Sequence, residues 1–496
     1  MGDFSLNNKL KNILKIVYVM IFFIMCLIPI VCIPFTKEDT SNSENRPLSK
    51  MPNLKNDDGS INTSVGVEFE TYLSEHFAFR NQLVQLNNQM YYMMLKQSAE
   101  DDVIVGKNGW LYYSKTLDDY LSRDVLSDLE INNIVTTLEL QQEYVQNYGG
   151  KFLFTIVPNK NTLYGDYMPY NYNNSENPNN LDKLTLALNN SQVSFCNMKD
   201  ILSQDSSILY HKTDTHWNNH GALVGYNALL DSLNIIHDDF STVPYTAEKS
   251  WDGDLSKMLF PISWKKDIQI LYDIDYNYQY TSVLTKADFD DVTITTSNDL
   301  GTGSLLMFRD SFGRALIPFM AEHFKDTTFS RANPTALLDA SQDVVIFEIV
   351  ERNIDTILSS APTMTAPIRE NIQVTDTLID DNNVLEYKSV RNNEYLKVYG
   401  KVNTSQLTGD IVKVYALIET GNSNICIEAF PIYESNLLKS IDDDGNIIND
   451  TCDTGYIGYS FMIPTNLLQD NTCKISILSS DTTKNISSGI LSEIVL

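Results

Sequence analysis

Cysteine is scarce, with six residues in a chain of 496. That is too few for a disulfide scaffold, and no C-x-x-C or C-x4-C pair supplies the spacing of a zinc cage. Basic residues are also in deficit. Lys and Arg number 36 against 64 Asp and Glu, leaving a formal net charge of −28. Such a chain repels a phosphate backbone, which argues against nucleic acid as a partner. Long polar tracts are few and aromatic residues make up 10% of the chain, which argues against disorder. No internal repeat is found. What remains is a globular protein with 43% apolar residues, enough for two or three domains with ample core.

One long uncharged run is present, at residues 16–35. It has about the 20 apolar residues that a bilayer-spanning helix needs. Lys9, Lys11 and Lys15 precede it and favour a cytoplasmic amino end. No A-x-A-like cleavage site closes the run, so a cleaved signal peptide is the weaker reading. Pro29, Ile30 and Val31 also lack the small pair expected before a lipidated Cys32. The expectation is a cytoplasmic tail at 1–15, a signal-anchor helix at 16–35 and a polar stalk at 36–60. The remainder then lies outside the cell, where Cys196, Cys426, Cys452 and Cys473 meet an oxidising environment and the sequence cannot pair them.

Residues 61–380 read as α/β. Ser127 and Glu130 have capping-box spacing, and apolar positions from Ile131 to Tyr148 recur at helical spacing before Gly149-Gly150. Strands are predicted at 152–157, 304–308 and 344–350, which implies a parallel sheet flanked by helices. Sites in such sheets lie beyond the carboxyl ends of the strands. Those ends carry Asn159-Lys160, Asp310-Ser311 and Glu351-Arg352. Residues 381–496 change texture: short alternating runs separated by turn signals predict a β-sandwich. This part holds neither histidine nor tryptophan, the last being His323 and Trp264, so it is a poor place for acid–base chemistry. Its Asp442-Asp443-Asp444-Gly445-Asn446 run lacks the first aspartate and twelfth glutamate of a calcium loop, and a hairpin turn is expected there.

Two segments carry chemistry. In Asp214-Thr215-His216-Trp217, residues two apart would share one face of an extended chain. A carboxylate beside an imidazole fixes its tautomer and stabilises the imidazolium, as a general base requires. His211 and His220 raise a metal alternative, but no H-E-x-x-H and no third clear ligand accompany them, so no metal is expected. The second segment runs from a predicted strand into Arg309-Asp310-Ser311-Phe312-Gly313. A serine there is either a helix cap or a nucleophile backed by free helical N–H groups, and this segment alone leaves both open.

Together the segments resemble the SGNH-hydrolase-like polysaccharide O-acetyltransferases of the alginate O-acetylation type, and most closely their DHHW-family relatives. The resemblance runs in family order through Glu44-Asn45-Arg46-Pro47-Leu48, Phe69-Glu70 with Glu75-His76-Phe77 and Arg80, and the 105–113 segment containing Trp110. It continues through Val157-Pro158-Asn159-Lys160, Asp214-Thr215-His216-Trp217, Gly253-Asp254-Leu255, Asp310-Ser311-Phe312 and Glu351-Arg352-Asn353. Three departures stand out: D-T-H-W for D-H-H-W, Glu75-His76-Phe77 for D-H-F, and Arg309 where glycine commonly precedes Asp-Ser. The resemblance implies Ser311 as nucleophile, His216 as general base and Asp214 as its orienter, with no cofactor. Asn159, Lys160 and Arg352 are candidates for the substrate pocket or oxyanion site on position alone, and Trp217 is a candidate for the pocket as an aromatic platform that stacks on a sugar face. A buried ion pair between Glu351 and Arg352 is the competing role for that pair, and core packing is the role favoured for Trp110. The implied function is a cell-membrane-anchored, extracellular O-acetyltransferase acting on an exopolysaccharide or wall glycan, supplied with acetyl by a membrane-bound O-acyltransferase partner. A carbohydrate esterase and a non-catalytic glycan-binding protein are the competing classes. The sandwich reads as an accessory, with Tyr415 or Tyr433 as any stacking platform, dispensable for chemistry on small esters.

Overall fold

The computed structural model describes residues 8–32, 40–41, 46–56, 58–174, 177–262, 265–286, 289–332, 335–338, 341–370, 377–379, 384–405, 407–409, 411–420, 423–432, 439–441, 447–449, 456–468, 472–481 and 485–495. The 442–446 run, Glu44, Asn45, Tyr433, Cys452 and Asp380 lie outside them. Two compact units emerge, one from residues 1–114, 212–215 and 249–268, the other from 115–211, 216–248 and 269–496.

The first unit begins with helix α1 (Asn8–Cys32). Its Asn12–Pro29 window, with a mean hydropathy of 2.2, is long and apolar enough to cross a membrane; a signal sequence meets the same test. Helices α2 (Val65–Glu75) and α3 (Arg80–Met90) follow, then a hairpin of β1 (Val103–Val105) and β2 (Leu111–Tyr113). Trp110 between the two strands is fully buried, in agreement with a packing role. Leu111 N–H donates to the Lys212 carbonyl at 2.8 Å, which attaches the segment carrying Asp214 to this hairpin.

The second unit contains the α/β layers. Helix α4 (Asp128–Asn147) starts at the expected capping box, with Ser127 Oγ accepting from Glu130 N–H and Glu130 Oε2 accepting from Ser127 N–H. Then come β3 (Lys151–Val157), α5 (Asn180–Asn189), β4 (Phe195–Cys196), α6 (Met198–Gln204) and α7 (Asn219–Ser232). Next are β5 (Gln279–Tyr280), β6 (Thr293–Ser297), β7 (Ser304–Phe308), α8 (Ile317–His323), β8 (Asp326–Ser330) and β9 (Val344–Val350). The sheet order is β4–β3–β9–β7–β8–β6–β5. The first five strands are parallel, whereas β6 and β5 are antiparallel additions at one edge. That edge has no apolar run to announce it in the sequence. One sheet face packs on α7 and α8 through Leu153, Met307 and Ile346, and the other on α4 and α5 through Phe154, Phe308 and Val345. Because β3, β7 and β9 run in register, their carboxyl ends bring Asn159, Asp310 and Glu351 to the same edge.

Besides an antiparallel pair of Lys439–Ile441 with Ile447–Asn449, the carboxy-terminal part forms two larger sheets among the described residues, as its sequence texture predicts. Strands β10 (Thr377–Ile379), β11 (Val384–Arg391), β12 (Tyr395–Asn403), β13 (Lys413–Thr420), β14 (Ser423–Ala429), β15 (Tyr456–Pro464), β16 (Thr472–Ser480) and β17 (Asn485–Val495) make them up. Their orders are β10–β17–β16–β13–β14 and β11–β12–β15. Val398, Ile418, Phe461 and Ile475 share one core between the sheets. This sandwich also continues into the α/β core: Phe430, Ile432 and Tyr456 cluster with the residues under α4. Arg369 reinforces the seam, pairing with Glu143 of α4 at 2.7 Å and with Glu428 of β14 at 2.6 Å.

Candidate active site

Strand β7 ends at Phe308, and the chain turns through Arg309 and Asp310 into a 3-10 turn, Phe312–Leu316, that leads to α8. Asp310 holds this turn. Its Oδ1 accepts Phe312 N–H at 2.8 Å and its Oδ2 accepts Val350 N–H at 2.8 Å, while its own N–H donates to Glu348 Oε2 at 3.1 Å. Capping is therefore done by Asp310. Ser311 makes no side-chain cap; its Oγ lies 2.9 Å from His216 Nε2. The hydroxyl donates in the tautomer that a general base needs.

His216 arrives on a loop that the sequence reading took as extended. The segment 212–216 is instead a run of bends, so alternation of faces does not apply to it. The loop is closed at its base by the Tyr210–Trp217 bridge and by Asn218 N–H donating to the Leu209 carbonyl at 2.8 Å. Asn218 then caps α7, its side chain accepting Gly221 N–H at 2.9 Å. Trp217 is 2% exposed, and its Nε1–H donates to the Phe312 carbonyl at 3.0 Å. A Cβ at position 225 would stand 2.9 Å from its ring, so glycine there is what lets the indole lie against α7. The expected sugar-facing role for Trp217 does not fit this burial; it ties the His216 loop to the Ser311 turn.

Phe312 fills the space behind the pair. Its ring centroid is 4.7 Å from that of His216, and the Arg352 guanidinium carbon sits 5.5 Å from the Phe312 centroid. Asn159 and Lys160, read as pocket residues, are both buried. Asn159 Nδ2 donates to Asp119 Oδ2 at 3.0 Å, and Lys160 Nζ donates to the His211 carbonyl at 3.2 Å. These contacts brace the loops around the pair. Glu351 is buried and accepts from Asn159 N–H and Thr162 Oγ1 at 2.7 Å and from Asn179 Nδ2 at 3.0 Å. Three neutral donors thus serve a group for which a paired Arg352 was the alternative.

Burial sets the electrostatics. It pushes the carboxyls of Glu348 and Glu351 up, aided at Glu348 by the neighbouring Asp310. Asp119 is pushed up to about 7, first by burial and then by Glu351. Burial lowers Arg309 to about 10, with Arg331 adding to the effect.

In the other unit, Asp214 Oδ2 accepts Trp251 Nε1–H and Asp254 N–H, both at 2.9 Å. Asp254 in turn accepts from Thr215 N–H at 2.8 Å and from the Thr215 hydroxyl. A Cβ at position 253 would meet the Thr213 carbonyl oxygen at 2.2 Å, which explains the glycine of Gly253-Asp254-Leu255. The structure thus brings His216 and Ser311 together and gives Asp214 two donors of its own. The sequence reading missed Asp310 as the cap, Glu348, Asp119 and Trp251. Of these only Asp310 had a local signal, as a preferred capping residue at a strand-to-helix turn.

Residues 103–291 match the family described as ALGX, the SGNH hydrolase-like domain of the acetyltransferase AlgX. The segment is an SGNH hydrolase-like domain. The match includes Asp214 and His216 and ends before Ser311. Among solved structures, Bacillus cereus PatB1 with a sulfonyl adduct is similar at 16% identity and a TM-score of 0.41, over 51% of this chain and 95% of that one. The O-acetyltransferase domain of Pseudomonas putida AlgJ aligns at 15% identity and a TM-score of 0.35, over 51% and 92%. A DHHW family protein from Eubacterium siraeum aligns at 16% and 0.36, over 51% and 94%. No curated protein matches the chain in sequence.

Proposed function

We propose that this SGNH-like chain is a membrane-anchored, extracellular O-acetyltransferase that acetylates hydroxyls of a polysaccharide through an acyl-serine. The observation that carries the reading is the 2.9 Å contact between His216 Nε2 and Ser311 Oγ, on a serine freed from capping by Asp310. The acetyltransferase named by the family match supports it. In the proposed first half-reaction, Ser311 Oγ attacks the acetyl carbonyl while His216 takes the hydroxyl proton. The Ser311 N–H is one oxyanion donor, and the proton then passes to the leaving group. In the second half, His216 deprotonates a sugar hydroxyl, which attacks the acyl carbonyl; the bond from that carbon to Ser311 Oγ breaks, the acetyl stays on the sugar oxygen, and His216 returns its proton to Ser311 Oγ. Asp214 is assigned the role of orienting His216, two positions along the chain. Helix α1 serves as a signal anchor, and acetyl reaches the site through a membrane-bound O-acyltransferase, because acetyl-CoA is cytoplasmic.

The test is intact-protein mass after brief exposure to p-nitrophenyl acetate, followed by a chase with a neutral oligosaccharide. One acetyl should appear on the peptide containing Ser311 and move to the sugar faster than water removes it. Loss to water alone would make the chain an esterase, and no adduct on folded protein would end the covalent reading.

A further inference from the structure

Helix α3 is built inside out. Its polar residues Gln85 and Asn88 are 8% and 1% exposed, whereas its apolar residues Leu83, Leu86 and Met90 face outward. Asn88 Nδ2 donates to the Leu259 carbonyl at 2.8 Å and to Glu100 Oε1 at 3.0 Å, and Gln85 Oε1 accepts Ile262 N–H at 3.1 Å. All of these residues belong to the first unit, so the helix is fixed to its own unit by its polar side. At about 100° per residue, Leu83, Leu86 and Met90 fall within about 60° of one another, on the side opposite Gln85 and Asn88. Phe79 precedes them by four positions. Met93 follows by three, on a π turn, Tyr91–Leu95, that continues the helix. These five side chains, spaced four, three, four and three apart, are each 45–56% exposed. An apolar row of that length left open marks a surface that another molecule covers.

Width and charge select the cover. Apolar residues at alternating intervals of four and three form the seam of a helix pair, narrower than the face a helix turns to a core. The positions beside the seam are Arg80, Gln82, Asn87 and Gln89, of which only the first is charged. Residues 79–95 contain no acidic side chain, although the chain carries 64 in 496, so the repulsion expected of a −28 chain is lifted where two copies of α3 would meet. A helix lying on a bilayer instead carries cations along a solvated polar face. Here that face is bonded to Leu259 and Ile262, and Arg80 is the one cation in the segment. Methionine and tyrosine, which supply Met90, Tyr91, Met93 and Met94, are also enriched where proteins meet. We propose that α3 pairs with α3 of a second copy of this chain, forming a twofold dimer around Leu83, Leu86 and Met90. One helix against one helix covers less than the about 1,200 Å² of a stable dimer, so the pairing is reversible and depends on concentration. The inference goes beyond acyl transfer and stands without it.

The test uses the full chain in the membranes of the cells that express it, with the photo-reactive residue p-benzoylphenylalanine in place of Leu86. Irradiation should give a species of twice the chain mass, in which both cross-linked tryptic peptides are residues 81–96. Leu83→Glu with Met90→Glu should lower its yield fivefold or more and leave the melting temperature unchanged, because both side chains face outward. Should the glutamate pair fail to fold, Leu83→Gln with Met90→Gln takes its place with the same expectation. An adduct with phospholipid alone would overturn the proposal in favour of a bilayer, and an adduct with a different protein in favour of that partner. No adduct, or a dimer that survives the seam substitutions, would also refute it.

Discussion

Replacing Ser311 and replacing its neighbour Asp310 should separate chemistry from architecture. The Asp310 carboxylate accepts two backbone N–H groups, from Phe312 and Val350, each at 2.8 Å. Hydrogen bonds to a charged group contribute about 1.5–3 kcal/mol each, so Asp310→Ala should cost about 3–6 kcal/mol. That is a large share of an ordinary domain's stability. The Ser311 hydroxyl caps nothing and bonds to His216, so Ser311→Ala should cost about 1 kcal/mol or less. Urea unfolding gives the stability of each variant, and intact mass after an activated acetyl ester gives its acylation. Ser311→Ala should keep its unfolding midpoint and take no acetyl. Asp310→Ala should unfold far earlier, with whatever acylation remains tracking the folded fraction. His216→Ala should match Ser311→Ala, and the double variant should be little worse, because the pair acts as one unit. Destabilisation by Ser311→Ala as large as that by Asp310→Ala, or an adduct that persists without the hydroxyl, would refute this division of roles.

Other outcomes follow from single contacts. Asp119 has its acidity shifted from 3.8 to about 7 in the folded chain, which therefore binds the proton more tightly than the unfolded chain does. Its contribution to stability is present below pH 3.8 and is lost as the pH rises to about 7; Asp119→Asn should flatten that decline, read as unfolding midpoints at pH 4.5 and pH 7. Gly225→Ala puts a methyl against the Trp217 ring, an overpacking cost of about 1–3 kcal/mol, and should slow acetylation of Ser311 as the indole pulls away from the Phe312 carbonyl. Measured melting temperature and labelling rate should fall together. For α1, protease added to intact cells should remove the large domain and spare the amino terminus; a freely secreted form lacking residues 1–35 would contradict the anchor.

The strands with continuous apolar runs were legible residue for residue: Ser304–Phe308 and Val344–Val350 stand where the sequence put them, and Lys151–Val157 is one residue longer. The start of α4 was legible because both partners of its capping box are local. The edge strands β5 and β6 were not, since Thr293–Ser297 carries a single apolar side chain, Ile294, and pairs with distant β8 on one side and the two-residue β5 on the other. At the site, Ser311 and His216 could be named from short motifs, yet nothing local told cap from nucleophile. That choice is made by Asp310 and by Val350, forty positions away in the chain. Trp217 looked available for a sugar because an indole beside a histidine carries no sign of its depth. The burial comes from α7, through a glycine two turns further on.

The seam at Arg369 changes what the carboxy-terminal sheets can do. Glu428 is 2% exposed and is held by Arg369 and by Lys413, so removing the arginine would take away one of two cations serving a buried carboxylate. With Phe430, Ile432 and Tyr456 set into the layer under α4, the sandwich cannot swing on a tether or be cut away without baring apolar surface. A chain ending near residue 380 should therefore aggregate before its chemistry can be judged. Under the proposed function, this packing would make the sandwich a caliper. A polymer gripped on it would meet Ser311 at a fixed offset, and the spacing of marks along that polymer would be measured by the protein's own dimensions instead of by chance encounter.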